Sequence, residues 1–248
     1  MKQFWRFIGM LLVGIVCLQL FFAARIALMA VVSPQSTTFQ RSEALRLLRE
    51  KHRILWAQQW VDDDLIHKNL KRAVIASEDA GFTEHGGVDW EALEKAWDKN
   101  QRAQEQADKR AARLAKTNST RPPPVPKVIG GSTISQQLAK NLFLNSERSL
   151  VRKGQEFVLT LMLEAMLSKR RILEIYLNNV EWGEGVFGAQ AAARHYYGVD
   201  ASRLGANQAA RLAVMLPAPK RFEKRPGSPY VSGRAGTIEA RMGAVEVP

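Results

Sequence analysis

Residues 7–24 carry no charge and only one strongly polar side chain, Gln19, and beyond Arg25 the apolar character resumes through Val32. A run of this length reaches across the hydrocarbon core of a bilayer as a helix, which limits the fold more than any other feature of the chain. Arg25 falls near the far end of the run, where its stem can carry the guanidinium to the head groups. Lys2 and Arg6 precede the span and place the N-terminus in the cytoplasm, with the remaining chain outside; Arg41, Arg46 and Arg49 pull against that orientation. The run exceeds a usual signal-peptide core, and no small-x-small cleavage site comes after it, so retention as an anchor is expected over cleavage or burial in a core.

Of 248 residues 46% are apolar, enough to bury one good-sized core beside the anchor. The net charge of +12 contains only Lys2, Arg6 and Arg25 before residue 35, so the folded part keeps about +9 and favours polyanions: nucleic acid, anionic head groups or a pyrophosphate-bearing substrate. The single cysteine, Cys17, lies inside the apolar run, which rules out an intrachain disulfide or thiolate metal site.

Helical periodicity dominates the chain beyond the apolar run. A helix is predicted over residues 42–60, capped by Ser42 and carrying Leu45, Leu48, Leu55 and Trp56. Another over 65–77 delivers Glu78-Asp79 into a loop holding Gly81, Gly86 and Gly87. Residues 89–116 suit a solvated helix with many charge pairs, and the prolines at 122, 123, 124 and 126 end it in an exposed linker over 118–128. Thr133 and Gln136 have capping-box spacing and open a helix toward Phe143. A helix over 150–169 is expected to bury Phe157, Val158, Leu161 and Met162, a third runs over 171–178, and two short apolar helices fill 188–216. Pro217, Pro219, Pro226 and Pro229 then predict an irregular tail. No strand alternation or internal repeat shows, so the class is mostly α.

Three clusters can carry chemistry. Glu78 and Asp79 stand at an apolar helix end with Phe82, His85 and Gly87 close by, and a partly desolvated carboxylate there gains the proton affinity of a general base, although solvated turn clusters are the commoner fate of such pairs. Ser132 and Thr133 head a helix whose free amides suit phosphate oxygens, and Gln136 with Lys140 and Gln137 with Asn141 give it a polar face for sugar hydroxyls and diphosphate. Arg148, Arg152 and Lys153 lie beside Glu156, either as a surface ion pair or as a cationic pocket for a departing pyrophosphate. His52, His67 and His195 show no metal-ligand spacing with one another or with His85. Lys169-Arg170-Arg171 and Lys220-Arg221 read as solvated faces that also touch an anionic membrane. Walker, dinucleotide-binding and Ser-His-Asp signatures are missing.

Together these segments resemble the peptidoglycan glycosyltransferase family, the lysozyme-like transglycosylases that build glycan strands from lipid II. Glu78-Asp79 with Phe82, His85 and Gly87 matches its first motif, and the stretch from Gly131 through Ser132-Thr133-Ile134-Ser135-Gln136-Gln137 to Phe143 its second. Arg152-Lys153 with Glu156, and Ser168-Lys169-Arg170-Arg171-Ile172-Leu173-Glu174-Ile175-Tyr176-Leu177-Asn178, match the third and fourth. The resemblance covers residues 65–222 and, with no transpeptidase domain after it, is greatest to the monofunctional biosynthetic members. It implies a mostly α, lysozyme-like domain with an N-terminal transmembrane helix: anchor over 1–34, membrane-proximal helical segment over 35–64, catalytic domain over 65–222 with an insertion at 98–128, irregular tail over 223–248. Two departures stand out: that insertion is long, and Gln208 occupies a position where glutamate is usual.

By resemblance Glu78 is the base and Glu156 orients donor-site groups or assists departure. Asp79, Phe82, His85, Ser132, Thr133, Gln136, Gln137, Lys140, Asn141, Arg148, Arg152 and Lys153 are expected to contact substrate. The implied partners are lipid II, the growing strand, membrane lipid and cell-wall synthesis or division proteins, with no nucleic acid. The sequence requires no cofactor, and the resemblance leaves open a magnesium or manganese ion; the implied location is the bacterial inner membrane, single-pass, with the N-terminus cytoplasmic and the catalytic domain periplasmic. A lytic transglycosylase or lysozyme shares the fold, but its chemistry releases no pyrophosphate for a cationic helix to receive. A membrane-tethered basic adaptor would interleave aromatic with basic residues, a pattern this chain lacks.

Overall fold

The computed structural model describes residues 1–116, 130–145, 147 and 149–248. α1 (Lys2–Leu28) spans about 40 Å at 1.5 Å per residue, has a mean hydropathy of 2.5 over its most apolar window and fits a single-pass membrane anchor. It is not a free tether. Ile26 and Met29 enter the core, Phe22 stacks edge-on to Phe143 at 5.3 Å, and Arg171 Nε donates to Met29 O at 2.8 Å, capping the helix end. Gln19, the one strongly polar residue in the span, exchanges amide hydrogen bonds of 2.9 and 3.1 Å with Gln155, as an amide in an apolar setting requires.

α2 (Thr38–Lys51) starts four residues before the predicted Ser42 and stops well short of 60. Thr37 and Gln40 close a capping box there, while Ser42 Oγ donates back to Thr38 O. His52 ends the helix at φ 52, and the chain then forms β1 (Ala57–Gln58). α3 (Lys68–Glu78) buries Leu70, Ala73, Val74 and Ile75 and presents Glu78 as its last residue. α4 (Trp90–Lys116) is the long polar helix expected, except that Trp90, Leu93 and Trp97 line one exposed side, Trp90 lying 6.3 Å from the Phe157 ring. The predicted linker over 118–128 lies outside the described residues.

α5 (Ile134–Phe143) opens on the predicted capping box. α6 (Leu150–Met166) turns a different face inward from the one predicted: Glu156, Leu159, Thr160 and Leu163 are buried, whereas Phe157, Val158 and Leu161 are 36%, 38% and 45% exposed and Met162 is only partly buried. The helix is apolar on two sides, and neutralisation of Glu156 by Arg152 and Lys153 lets the side bearing that acid pack on α5. α7 (Lys169–Asn179) sends Asn178 to both N–H and C=O of Val61, at 2.9 Å each.

β2 (Glu181–Gly183) and β3 (Val186–Phe187) complete a three-stranded sheet of order β1-β3-β2, with β1 and β3 parallel and β2 antiparallel to β3. Strands of two or three residues are too short to show alternation. α8 (Ala189–Tyr197), α9 (Ala206–Met215), α10 (Pro219–Phe222) and α11 (Pro229–Arg241) complete the chain's helices among the described residues. Gln208 accepts from Gly205 N at 2.9 Å and so caps α9 instead of forming an ion pair.

The irregular tail predicted over 223–248 is corrected by α11. Pro229 sits in its first turn, where a missing N–H costs nothing, Ser228 caps it, and Val231, Ala235 and Ile238 pack on α9 and α3. One core runs from Ile26 to Met242, so the last turn of the anchor and α11 belong to the same folded body. The basic clusters are solvated in part, as expected, with Arg170 and Arg221 exposed, but most of their charges are paired: Lys169 with Glu164, Arg170 with Asp63 and Asp64, Arg171 with Glu174, and Lys220 with Glu43.

Candidate active site

Asp79 ends α3 buried, and its carboxylate ties two segments together. Oδ2 accepts from Ile134 N at 2.9 Å, the first amide of α5, and Oδ1 meets His85 Nε2 at 2.8 Å. Gly87 N donates to His85 Nδ1 at 3.1 Å, which puts the ring proton on Nε2, facing Asp79. Thr133 Oγ1 donates to Gly87 O at 2.6 Å while accepting from Gln136 N. Asp79, His85 and Thr133 therefore have their polar groups engaged in aligning the α3 end with the α5 start, while Gln136 Oε1 closes the α5 cap on Thr133 N. Phe82 is fully buried beneath the Lys169 ammonium, 4.6 Å from the ring centroid, which corrects the expectation that it touches substrate.

Glu78 is left half-exposed at the opening. Burial raises its carboxyl pKa above the usual glutamate range; the Gln137 hydrogen bond partly offsets this, and the Asp79 charge adds to it. Gln137 Nε2 donates to Glu78 Oε2 at 3.0 Å, and Gln137 Oε1 accepts from Tyr176 OH at 2.9 Å. Burial also pushes the Tyr176 phenol well above its ordinary value, so it stays a donor and fixes which end of the Gln137 amide faces Glu78. Tyr176 sits inside the fourth motif, but its role depends on a tertiary contact that spacing does not show. Tyr176→Phe should free that amide, raise the Glu78 pKa further and shift the acidic limb of the kcat profile to higher pH, with kcat near neutrality falling about threefold to tenfold. An unshifted limb in a pH–rate series would dismiss the relay.

Along α5 the groove turns cationic. Lys140, Arg152 and Lys153 line it with Ser132, Gln136 and Gln137 around a cavity of about 140 Å³, which adjoins one of about 430 Å³ holding Asn141 and one of about 270 Å³ beside Glu78. Glu156, 3% exposed, accepts from Arg152 Nη1 at 2.7 Å and from Lys153, so both its oxygens are committed to aiming those cations. Arg152 Nε is buried with no acceptor among the described residues, an N–H left for an incoming oxygen. Desolvation lowers the Lys140 pKa, and Glu156 opposes that. Arg148 lies outside the described residues. Lys99 and Arg241, not anticipated from sequence, line the cavity beside Glu78; Arg241 arrives on α11, where the prolines predict no helix.

Asp79, His85 and Asp89 bring ligand atoms within 4.8 Å of one another. Both Asp79 oxygens are already engaged, His85 Nε2 holds its proton, and Asp89 Oδ1 accepts from Ala92 N, so the cluster suits a hydrogen-bond clasp and does not fit a metal ion. The cationic wall sets Lys140, Arg152 and Lys153 around Glu156, whose two oxygens already accept from Arg152 and Lys153, and that concentration of positive charge does not fit a resident divalent cation either.

A family model described as Transglycosylase matches residues 46–112 and 110–243. A protein of Burkholderia orbicola (strain MC0-3) named biosynthetic peptidoglycan transglycosylase is 52% identical over 230 residues, 93% of this chain and 85% of its own length. Proteins of the same name from Burkholderia lata, at 52%, and Burkholderia ambifaria (strain MC40-6), at 51%, match over the same shares.

Proposed function

The chain belongs to the transglycosylase family and is a peptidoglycan glycosyltransferase acting on lipid II and glycan strands, and from that premise we propose how its groove joins them. Glu78 takes the proton of the 4-hydroxyl on the acceptor's N-acetylglucosamine. That oxygen attacks the anomeric carbon of the donor's N-acetylmuramic acid as its bond to undecaprenyl pyrophosphate breaks, giving inversion and a β-1,4 link. Lys140, Arg152 and Lys153 neutralise the growing pyrophosphate charge, Arg152 offering its unpaired Nε–H, and Glu156 keeps Arg152 and Lys153 aimed.

The observation that carries this reading is Gln137, which hydrogen-bonds Glu78 and lines the cavities that hold Lys140 and Arg152. Base and cations, carried by α3, α5 and α6, thus face one groove on either side of Gln137, as an in-line displacement between them requires. The anchor, docked on α6, keeps this groove where both lipid-tailed substrates reside. We assign it to the inner membrane with the N-terminus cytoplasmic and the groove periplasmic. Purified full-length protein supplied with lipid II should yield glycan polymer and leave intact strands uncut. Cleavage of strands without polymer would replace this reading with the lytic one.

A further inference from the structure

Glu181, on β2, is a buried acid for which the displacement of pyrophosphate has no use. It is 6% exposed, lines the cavity of about 430 Å³ shared with Gln137, Lys140 and Arg152, and its Oε1 accepts no hydrogen bond among the described residues. The nearest cation, Lys220 Nζ, stands 3.6 Å away, beyond hydrogen-bond reach, because that ammonium is bonded to Glu43. Burial pushes the Glu181 carboxyl up to about 7, with Lys220 only partly offsetting it and Glu43 and Glu223 adding to it. An acid held here without a hydrogen bond costs stability, which a ligand that brings a donor would recover. Apolar side chains share that cavity with the polar ones: Phe39, Leu144, Val180 and Leu216.

A group that satisfies both features carries an N–H beside methyl or methylene carbon and hangs from a substrate whose pyrophosphate is held by Lys140 and Arg152. In a lipid-linked disaccharide peptide that description fits the secondary amides. We propose that Glu181 accepts an amide N–H of the bound substrate and so sets how the sugar-peptide portion lies in the groove. This assignment rests on the glycosyltransferase reading, and the amide can come from a sugar acetamido group or from the stem peptide.

Full-length wild type, Glu181→Leu, Glu181→Asp and Glu181→Gln are compared on lipid II with its pentapeptide and on a lipid-linked disaccharide without peptide. Leu, which removes the acceptor, and Asp, which withdraws it, should raise KM about tenfold with kcat within about twofold, and Gln, which still presents an oxygen, should restore most of the affinity. A penalty that disappears on the peptide-free substrate assigns the amide to the stem peptide; one that persists assigns it to the acetamido group. The proposal is overturned if Leu and Asp keep wild-type KM on both substrates, or lower kcat alone. Should Leu fail to fold in a thermal melt, Asp decides by the same criteria. Direct binding of both substrates to wild type and variants settles the assignment even if wild type makes no polymer, so the two failures stay distinguishable.

Discussion

Glu78→Gln is expected to make less than about 1% of the polymer formed by wild type while melting no lower at neutral pH. The loss comes from chemistry: glutamine keeps the shape and the hydrogen bond to Gln137, but it cannot take the proton of a sugar hydroxyl, and removing a general base costs about a hundredfold to ten-thousandfold. The stability comes from linkage. Because the folded pKa of Glu78 lies above its unfolded value, the native protein binds more protons than the unfolded chain between the two. Stability therefore falls as pH rises through that window and stays lower above it. Glutamine has no proton to lose, so any gain should be largest at neutral and higher pH and vanish below the unfolded carboxyl pKa. For the same reason wild-type kcat should climb with pH through a value above the ordinary glutamate range. Single-turnover assays and melts across pH test both limbs, and a Gln variant that turns over near normally would remove Glu78 from the role.

How far such a site can be read from sequence depends on how local its causes are. The start of α5 is legible because Thr133 and Gln136 make a capping box within four residues, and Glu78 is legible because an apolar periodicity ends at it. The inward face of α6 is not. Apolar residues on two sides give periodicity no preference, and the choice falls to a buried carboxylate whose partners make its burial tolerable. α11 is hidden by its prolines and glycines, which count against a helix until Pro229 is seen in the first turn and the apolar residues are matched to α9. Tyr176 and Glu181 are harder still. One acts through an amide 39 positions away, and the other gains its character from a lysine drawn off by a third residue. The structure also sorts the expected substrate contacts: Ser132, Gln136, Gln137, Lys140, Asn141, Arg152 and Lys153 line the cavities, Asp79 and Thr133 line the one beside Glu78 while bonding α3 to α5, and His85 only holds Asp79 in register.

Gly188→Ala should be strongly disruptive for a single methyl, and comparison with Gly198→Ala isolates the reason. Both glycines have positive φ, 82° and 66°. At Gly198, in the left-handed cap of α8, a Cβ would meet nothing within 4 Å, so alanine should cost only the backbone preference, about 1 kcal/mol. At Gly188 ψ is 157°, a region almost reserved for glycine, and a Cβ would lie 2.5 Å from the carbonyl oxygen of Asn178. That carbonyl cannot yield cheaply, because the Asn178 side chain clasps the backbone of Val61 on both N–H and C=O, while Gly188 N itself donates to Val180 O at 3.0 Å. Backbone strain and overpacking together should exceed about 3 kcal/mol, a large share of the stability of an ordinary domain. Residues 180 and 188 bracket β2, so the same shift would loosen Glu181 against its cavity before the whole fold gives way. Denaturant unfolding of the two variants in detergent should separate them by more than about 2 kcal/mol, and equal midpoints would show that the Asn178 contact does not hold the chain as the geometry requires.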